Sequence, residues 1–204
     1  MTIYNVLHRQ VTQTVDPADE PVGLSEMKEH LRVDHSDEDL LILAVTQAAR
    51  EVVEKKLARN LVQRTLRADI DSWAEQIHLP LPPVASISSV KYYDTESPSV
   101  LQTLASTEYE FSGSAGRIYR AYGTTWPDIY PRHDAIQITY LSGHASTSSP
   151  VDYGENVPQP LRSAIKLIAA DLYENREGNV IGQGFVAVPN RTLEFLIEPY
   201  RAIK

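Results

Sequence analysis

SDEDLLILAVTQAAREVVEKKLARN, residues 36–60, is the longest stretch of the chain that reads as helix without a Gly or a Pro. Asp37, Glu38 and Asp39 crowd its start and Lys55, Lys56 and Arg59 its end, so both ends complement the helix dipole. Ser36, with Asp39 three residues on, has the form of an N-cap with an acidic partner for orphan amide protons. Asn60 is placed to take the left-handed position that closes the helix. Leu41, Val45, Ala48 and Val52, joined by Leu40, Leu43 and Ala44, recur at steps of three and four, which predicts a broad apolar face turned to the core. A helix over 37–59 is about 33 Å long. It is a scaffold, with no catalytic residue in view.

Upstream, PVGLSEMKEHLRVD predicts a short helix over 24–32, with Leu24, Met27 and Leu31 on one face, Gly23 as N-cap and Glu26 as the N3 acid. Residues 3–15 read as an irregular strand or extended arm. Downstream of Asn60 the period changes from 3.6 to 2. In LVQRTLRADIDSW, Val62, Leu66, Ala68 and Ile70 alternate with Gln63, Thr65, Arg67 and Asp69. QIHLPLPPV, SISSVKYYD, EYEFSG, GRIYRAY and AIQITYLSG continue the strand vocabulary, separated by turn clusters such as DTESPS and GSAG. This predicts a small antiparallel β-domain of five to seven strands over 61–144. The helical period returns in PQPLRSAIKLIAADLYENREG, with Leu161, Ile165, Ile168, Ala169 and Leu172 on one face, Pro160 in the first turn and Gly178 past the end. NVIGQGFVAVP reads as a loop, and Asn190 can cap a last short helix, RTLEFLIEPYR.

The fold class is therefore α+β, a helical core of about four helices with a small antiparallel β-domain inserted. Residues 1–60 supply an N-terminal arm and the first part of the core. Residues 61–144 are the inserted domain, 145–178 carry the last long helix, and 179–204 hold a mobile loop and a C-terminal helix.

Composition narrows the function. The 204 residues are 42% hydrophobic and 23% charged, ordinary values for a globular chain. A net charge of −8 argues against a free-standing duplex-DNA binder, which needs a basic face. With no cysteine, disulfides, thiolate zinc sites and a Cys nucleophile are excluded. The first residues lack a signal-peptide layout, and no run approaches the ~18 apolar residues of a membrane span, so synthesis in the cytoplasm and no membrane partner are expected.

Chemistry is hard to find. The six histidines are scattered, none in the spacing of a helical zinc site. Gly113-Ser114-Ala115-Gly116 is not a nucleophile elbow. Gly182-Gln183-Gly184 is a fragment of a phosphate loop without its Lys-Ser/Thr. Asp69 and Asp71 share one side of an alternating strand, where solvated carboxylates are the ordinary case. No catalytic, cofactor or metal residue is assigned, and no enzyme is expected. Trp126 and Pro127, in a Gly turn, read as a structural plug between sheet and helices, Trp126 by its large buried area. Tyr173 and Arg176 sit in the closing turn of the last long helix.

The order PVGLSEMKEHLRVDHSDED, IHLPLPPVASISSVKYYD, RIYRAYGTTWP, ITYLSG, VPQPLRSAIKLIAADLYENREG resembles the head–tail connector (adaptor) proteins of tailed bacteriophages. The likeness runs from about Pro21 to Gly178, with a final Pro199-Tyr200-Arg201. Two positions depart from the family's habit: Gly23 stands where Ser or Thr is usual, and Asn60 where Gly is frequent. The resemblance implies a structural subunit of the virion, placed at the capsid–tail junction. About twelve copies would form a ring under the portal protein, extend the DNA channel and receive the tail or a head-completion (stopper) protein. Genomic DNA would pass without sequence-specific binding, and an acidic channel would repel it. Within that picture Leu193, Leu196, Ile197 and Tyr200, spaced i, i+3, i+4, i+7, form an apolar stripe on a helix too short to stand alone. With Arg201 they are the candidate portal or subunit interface; the plainer alternative is that the stripe packs on its own core. Two other functions compete: a helix-turn-helix regulator using 24–32 and 37–59, which acids at the second helix's start oppose, and a hydrolase on the β-domain, for which no nucleophile–base pair is found.

Overall fold

The run at 36–60 folds as helix α2, Asp39–Leu57, and the chain around it forms two units, one mainly helical and one mainly strand. The structure is a computed structural model, and it describes residues 10–13, 20–144, 156–175 and 191–201. The helical unit comprises the described parts of 18–62 and 144–204, and the β unit those of 1–17 and 63–143. The chain is of the α+β class.

In the helical unit, α1 (Leu24–Leu31) and α3 (Gln159–Glu174) pack with α2, and α4 (Arg191–Ile197), followed by a 3₁₀ turn at Glu198–Tyr200, packs on α3 and α2. Met27 of α1, Ala164, Ile165 and Ala169 of α3, and Ile197 of α4 are buried together with the inner face of α2. Gly23 is the N-cap of α1, as its sequence predicts, but Glu26 is drawn away to α3. Pro160 sits in the first turn of α3, where a missing N–H costs nothing.

The inner face of α2 differs from the predicted one. Ile42, Thr46, Ala49, Val53 and Leu57 are buried, while Leu41 and Val45 are only half-buried and Ala48 and Val52 are exposed. The helix is apolar on two arcs, and the β-branched arc one residue further on faces the core. In α3, Ile165 is buried, Ile168 half-buried and Leu172 exposed.

The ends of α2 also differ. Its N-cap is Glu38, with no side-chain capping bond from Ser36. Tertiary partners hold the first turn: Glu38 accepts from the Tyr173 hydroxyl, and Asp39 Oδ1 lies 2.7 Å from Lys28 Nζ. At the other end Ala58, not Asn60, takes the left-handed conformation, at φ 53°. The cause is Glu54, whose Oε1 accepts the Leu61 N–H at 2.8 Å and so brings the chain back directly after Leu57. Asn60 is buried at the return.

The β unit holds eight strands among the described residues. Gln10–Gln13 (β1), Arg64–Ile70 (β2), Gln76–His78 (β3), Val84–Tyr93 (β4), Leu101–Thr103 (β5), Tyr109–Ser112 (β6), Arg117–Arg120 (β7) and Ile136–Ser142 (β8) follow in chain order. They form an antiparallel five-stranded sheet, order β1-β2-β8-β4-β5, and a three-stranded sheet, order β3-β7-β6. Period 2 puts Leu66, Ala68 and Ile70 opposite Tyr140, Ile138 and Ile136, all buried. Ile77, Val84, Val90 and Ile118 join them in one core. Gly113 and Gly116 fold the β6–β7 hairpin back on β4: a Cβ at Gly113 would lie 2.5 Å from the Val84 carbonyl oxygen, and Gly116 has φ +60°.

Candidate functional site

No pair of groups is arranged for acid–base or nucleophilic work at the positions the sequence raised. Asp69 is buried and held by Arg67 at 3.0 Å, so it is not a solvated carboxylate. Asp71 instead accepts the Asp134 N–H at 2.8 Å. Among the described residues no group of three or more His, Asp or Glu is placed to hold a metal ion, and no helix is long and apolar enough to cross a membrane. What the chain offers a partner is surface.

The first surface is the C-terminal segment. Ile197 is fully buried, and Leu193, Leu196 and Tyr200 are half-buried against the helical core. The i, i+3, i+4, i+7 stripe is therefore satisfied inside the subunit. Glu194 carries two ion pairs, to Lys56 of α2 at 3.3 Å and to Arg201 at 3.4 Å. The outward side of α4 presents Phe195, 76% exposed, between Glu194 and Glu198. Phe195 lies off the i, i+3, i+4 register of the stripe, so the apolar spacing gives no signal for it.

The second surface is the outer face of α2. Leu40 is 83% exposed, and Leu43, Ala44, Ala48 and Val52 are exposed as well. These residues belong to the apolar face the sequence assigns to the core.

Behind that face lies a buried ion network that the sequence did not suggest. Arg50 is 2% exposed; its Nε and Nη1 donate to Glu20 and Glu54, each at 2.7 Å. Burial opposes its charge, and the two carboxylates outweigh burial, so the guanidinium is held more firmly protonated than usual. The only sequence signal is an Arg–Glu pair at i, i+4, which elsewhere marks a solvated face. Between α1 and α3, Glu26 binds Arg162 and, at 3.0 Å, Lys166. Burial raises the Glu26 pKa, but Lys166 and Arg162 more than offset it, and the carboxyl lies below its ordinary range.

In the β unit, Trp126 stacks on Trp73 with ring centroids 4.5 Å apart and planes 5° apart. Each indole donates to the backbone beside the other: Trp73 Nε1 to the Pro127 carbonyl at 2.9 Å, Trp126 Nε1 to that of Ala74 at 3.0 Å. The packing partner of Trp126 is thus another indole of its own unit. Trp73, at the end of RADIDSW, has no local sequence signal that pairs it with a residue 53 positions away. Tyr122 is fully exposed, next to Gly123 at φ 79°. Tyr173 ties α3 to the start of α2 through Glu38, while Arg176, the predicted loop and Asn190 lie outside the described residues.

Residues 22–122 match the family described as phage gp6-like head-tail connector protein. Through that span the chain belongs to the phage head–tail connector family. The match begins at Val22, ahead of α1, and ends at the exposed Tyr122, so it covers the two first helices and most of the β unit. Among curated proteins, no sequence matches the connector. Solved structures with a similar fold are chains of gene transfer agent (GTA) particles. One is from the neck of an empty particle computed with C6 symmetry (22% identity, TM-score 0.73, 96% of both chains). A second is from the virion of the native particle (23%, TM-score 0.75, 95% of this chain and 96% of that one). A third is from the neck of the native particle computed with C12 symmetry (23%, TM-score 0.72, 96% of both). The connector shares their fold over nearly its whole length. Its role is that of a structural head–tail connector (adaptor); neither the DNA-binding regulator nor the hydrolase finds support.

Proposed function

We propose that this connector works as one subunit of a ring of about twelve copies at the capsid–tail junction of a phage-like particle. The ring sits under the portal protein, continues the DNA channel and receives the tail or a head-completion protein. The observation that carries the reading is the agreement between the family match over 22–122 and the fold likeness, over 96% of the chain, to chains from particle necks. Closed rings need two different complementary surfaces on each subunit, and the helical unit has two exposed apolar ones, on α2 and α4. At −8 per subunit, twelve copies carry about −96 before counterions, a wall that repels passing DNA. The role is non-enzymatic, with no cofactor, and the chain is made in the host cytoplasm before joining the virion.

In this reading residues 61–144 are a β-domain inserted into a helical core, with 1–60 supplying an N-terminal arm and the first part of that core and 145–178 its last long helix, and 179–204 dock on a partner; the arm's strand β1 is paired with β2 of the β unit. The docking segment includes Leu193, Leu196, Ile197, Tyr200 and Arg201. Because the stripe lies on the core, the side turned to the partner carries Phe195 and Arg201. Negative-stain microscopy of the connector incubated with portal-bearing heads tests the proposal: rings of about twelve subunits at the vertex are expected. A connector that stays monomeric beside its own portal refutes it.

A further inference from the structure

The chain passes from the helical unit to the β unit between Val62 and Gln63 and returns between Gly143 and His144. On the β side the two passages are neighbours in an antiparallel ladder, with Arg64 opposite Ser142. On the helical side they are neighbours again, but Val62 and His144 form a parallel bridge. The sense of pairing reverses within two residues, so the ladder does not run through. Gly143 makes the turn at φ 111°, a conformation that a side chain disfavours. Its N–H goes to the Pro83 carbonyl at 2.9 Å, while the next amide, that of His144, goes to the Leu61 carbonyl at 3.2 Å. Two consecutive amides are thus held by different units.

We infer that the two passages are one joint with a shared latch: Glu54 holds Leu61, Leu61 holds His144, and release of the carboxylate frees both passages together. Three observations carry it. Glu54 Oε1 accepts the Leu61 N–H at 2.8 Å where Leu61 and Val62 are fully buried, so the amide has no ready substitute from solvent. The other carboxylate oxygen is fixed by Arg50 Nη1 at 2.7 Å, and Arg50 in turn by Glu20 at 2.7 Å, so the latch is aimed by a network and not by α2 alone. The Glu54 carbonyl also accepts the Arg59 N–H at 3.2 Å, so one residue fastens the outgoing chain through both side chain and backbone. Gly143 is the residue that turns when the latch opens, because hinges concentrate the backbone change in a few positions and glycine has the widest choice there. The device lets a subunit redirect its β unit with neither core unfolded, and it stands apart from the ring reading.

Residue-resolved amide hydrogen exchange of the whole chain tests it. In the parent protein the Leu61 and His144 amides are expected to exchange through one opening, with protection equal within about fivefold and at least about tenfold below that of Ile165 and Ala169 in α3. Unequal protection at the two amides, or protection equal to that of α3, overturns the joint. The Arg50→Met, Glu54→Leu double variant removes the latch while leaving no buried charge unpaired. It is expected to speed exchange at both Leu61 and His144 at least about tenfold and to leave Ile165 and Ala169 within about threefold of the parent. Acceleration at Leu61 alone, or equal acceleration at all four amides, overturns the inference. Should the double variant not fold, the parent measurement decides by itself.

Discussion

Replacing Glu54 by Ala removes one partner of a guanidinium that is 2% exposed. Arg50 would keep Glu20 at 2.7 Å, but Nη1 would face the interior unpaired, and the Leu61 N–H would lose its acceptor. Breaking a buried pair from one side costs about 3–5 kcal/mol, and an orphaned buried amide about 1–3 kcal/mol. The two losses share one cavity, and Glu20, 20% exposed, admits some solvent, so the lower end, about 3–4 kcal/mol, is expected. Glu51→Ala is the internal control. It sits 3.7 Å from the same guanidinium but is 59% exposed, so its loss should stay under about 1 kcal/mol. The Arg50→Met, Glu54→Leu double variant removes charge from both sides and should lose less than Glu54→Ala alone. The assay is urea unfolding at pH 7 followed by helical circular dichroism. If Glu54→Ala costs no more than Glu51→Ala, the network is not a buried support of the helical unit.

Further outcomes are expected. Glu26 has a lowered pKa in the fold, so its stabilisation is fully present above the ordinary carboxylate range and is lost as pH falls through the folded value; Glu26→Gln should flatten the acid limb of a Tm-versus-pH curve between about pH 6 and 3. Gly113→Ala should cost about 1–3 kcal/mol by overpacking, since the atom it meets is the Val84 carbonyl oxygen and cannot rotate away; a thermal melt unchanged within a degree would contradict the close approach. Ile197→Ala should cost about 2–5 kcal/mol in the unfolding of the isolated subunit, whereas a loss under half a kcal/mol would show α4 detached from the core in solution.

The helices α1, α2 and α3 and the switch to strands were legible because period and turn chemistry are local signals. The covered face of α2 was not. Two apolar arcs, one through Leu41 and Val52 and one through Ile42 and Val53, satisfy the same 3.6 period, and only the partners of the folded chain choose between them. The same ambiguity hid the outer face of α2: Leu40, Leu43, Ala44, Ala48 and Val52, read as core, are exposed. Arg50 and Glu54 were invisible for the opposite reason, because charge is read as solvent-facing unless the partner is known, and Glu20 is 30 residues away. The end of α2 was misplaced because Ala58 makes a turn that Asn60 would make more readily, under the pull of Glu54 on Leu61. The division of the strands into two sheets depends on β3 meeting β7 and on β1 meeting β2, pairings no local pattern encodes.

The stacked indoles have a consequence for how the β unit resists being pulled apart. Trp73 and Trp126 close, by stacking and hydrogen bonds alone, a loop of chain that contains β3 to β7, and each is held at the backbone beside the other. Tying the ends of a loop of that size removes denatured-chain entropy only while the tie survives, so it helps the native state and the early steps of unfolding, not the fully unfolded chain. A cystine bridge would constrain the unfolded chain too, but only where thiols stay oxidised. The indole clasp is indifferent to redox poise, so it holds equally in a reducing cell and in the open.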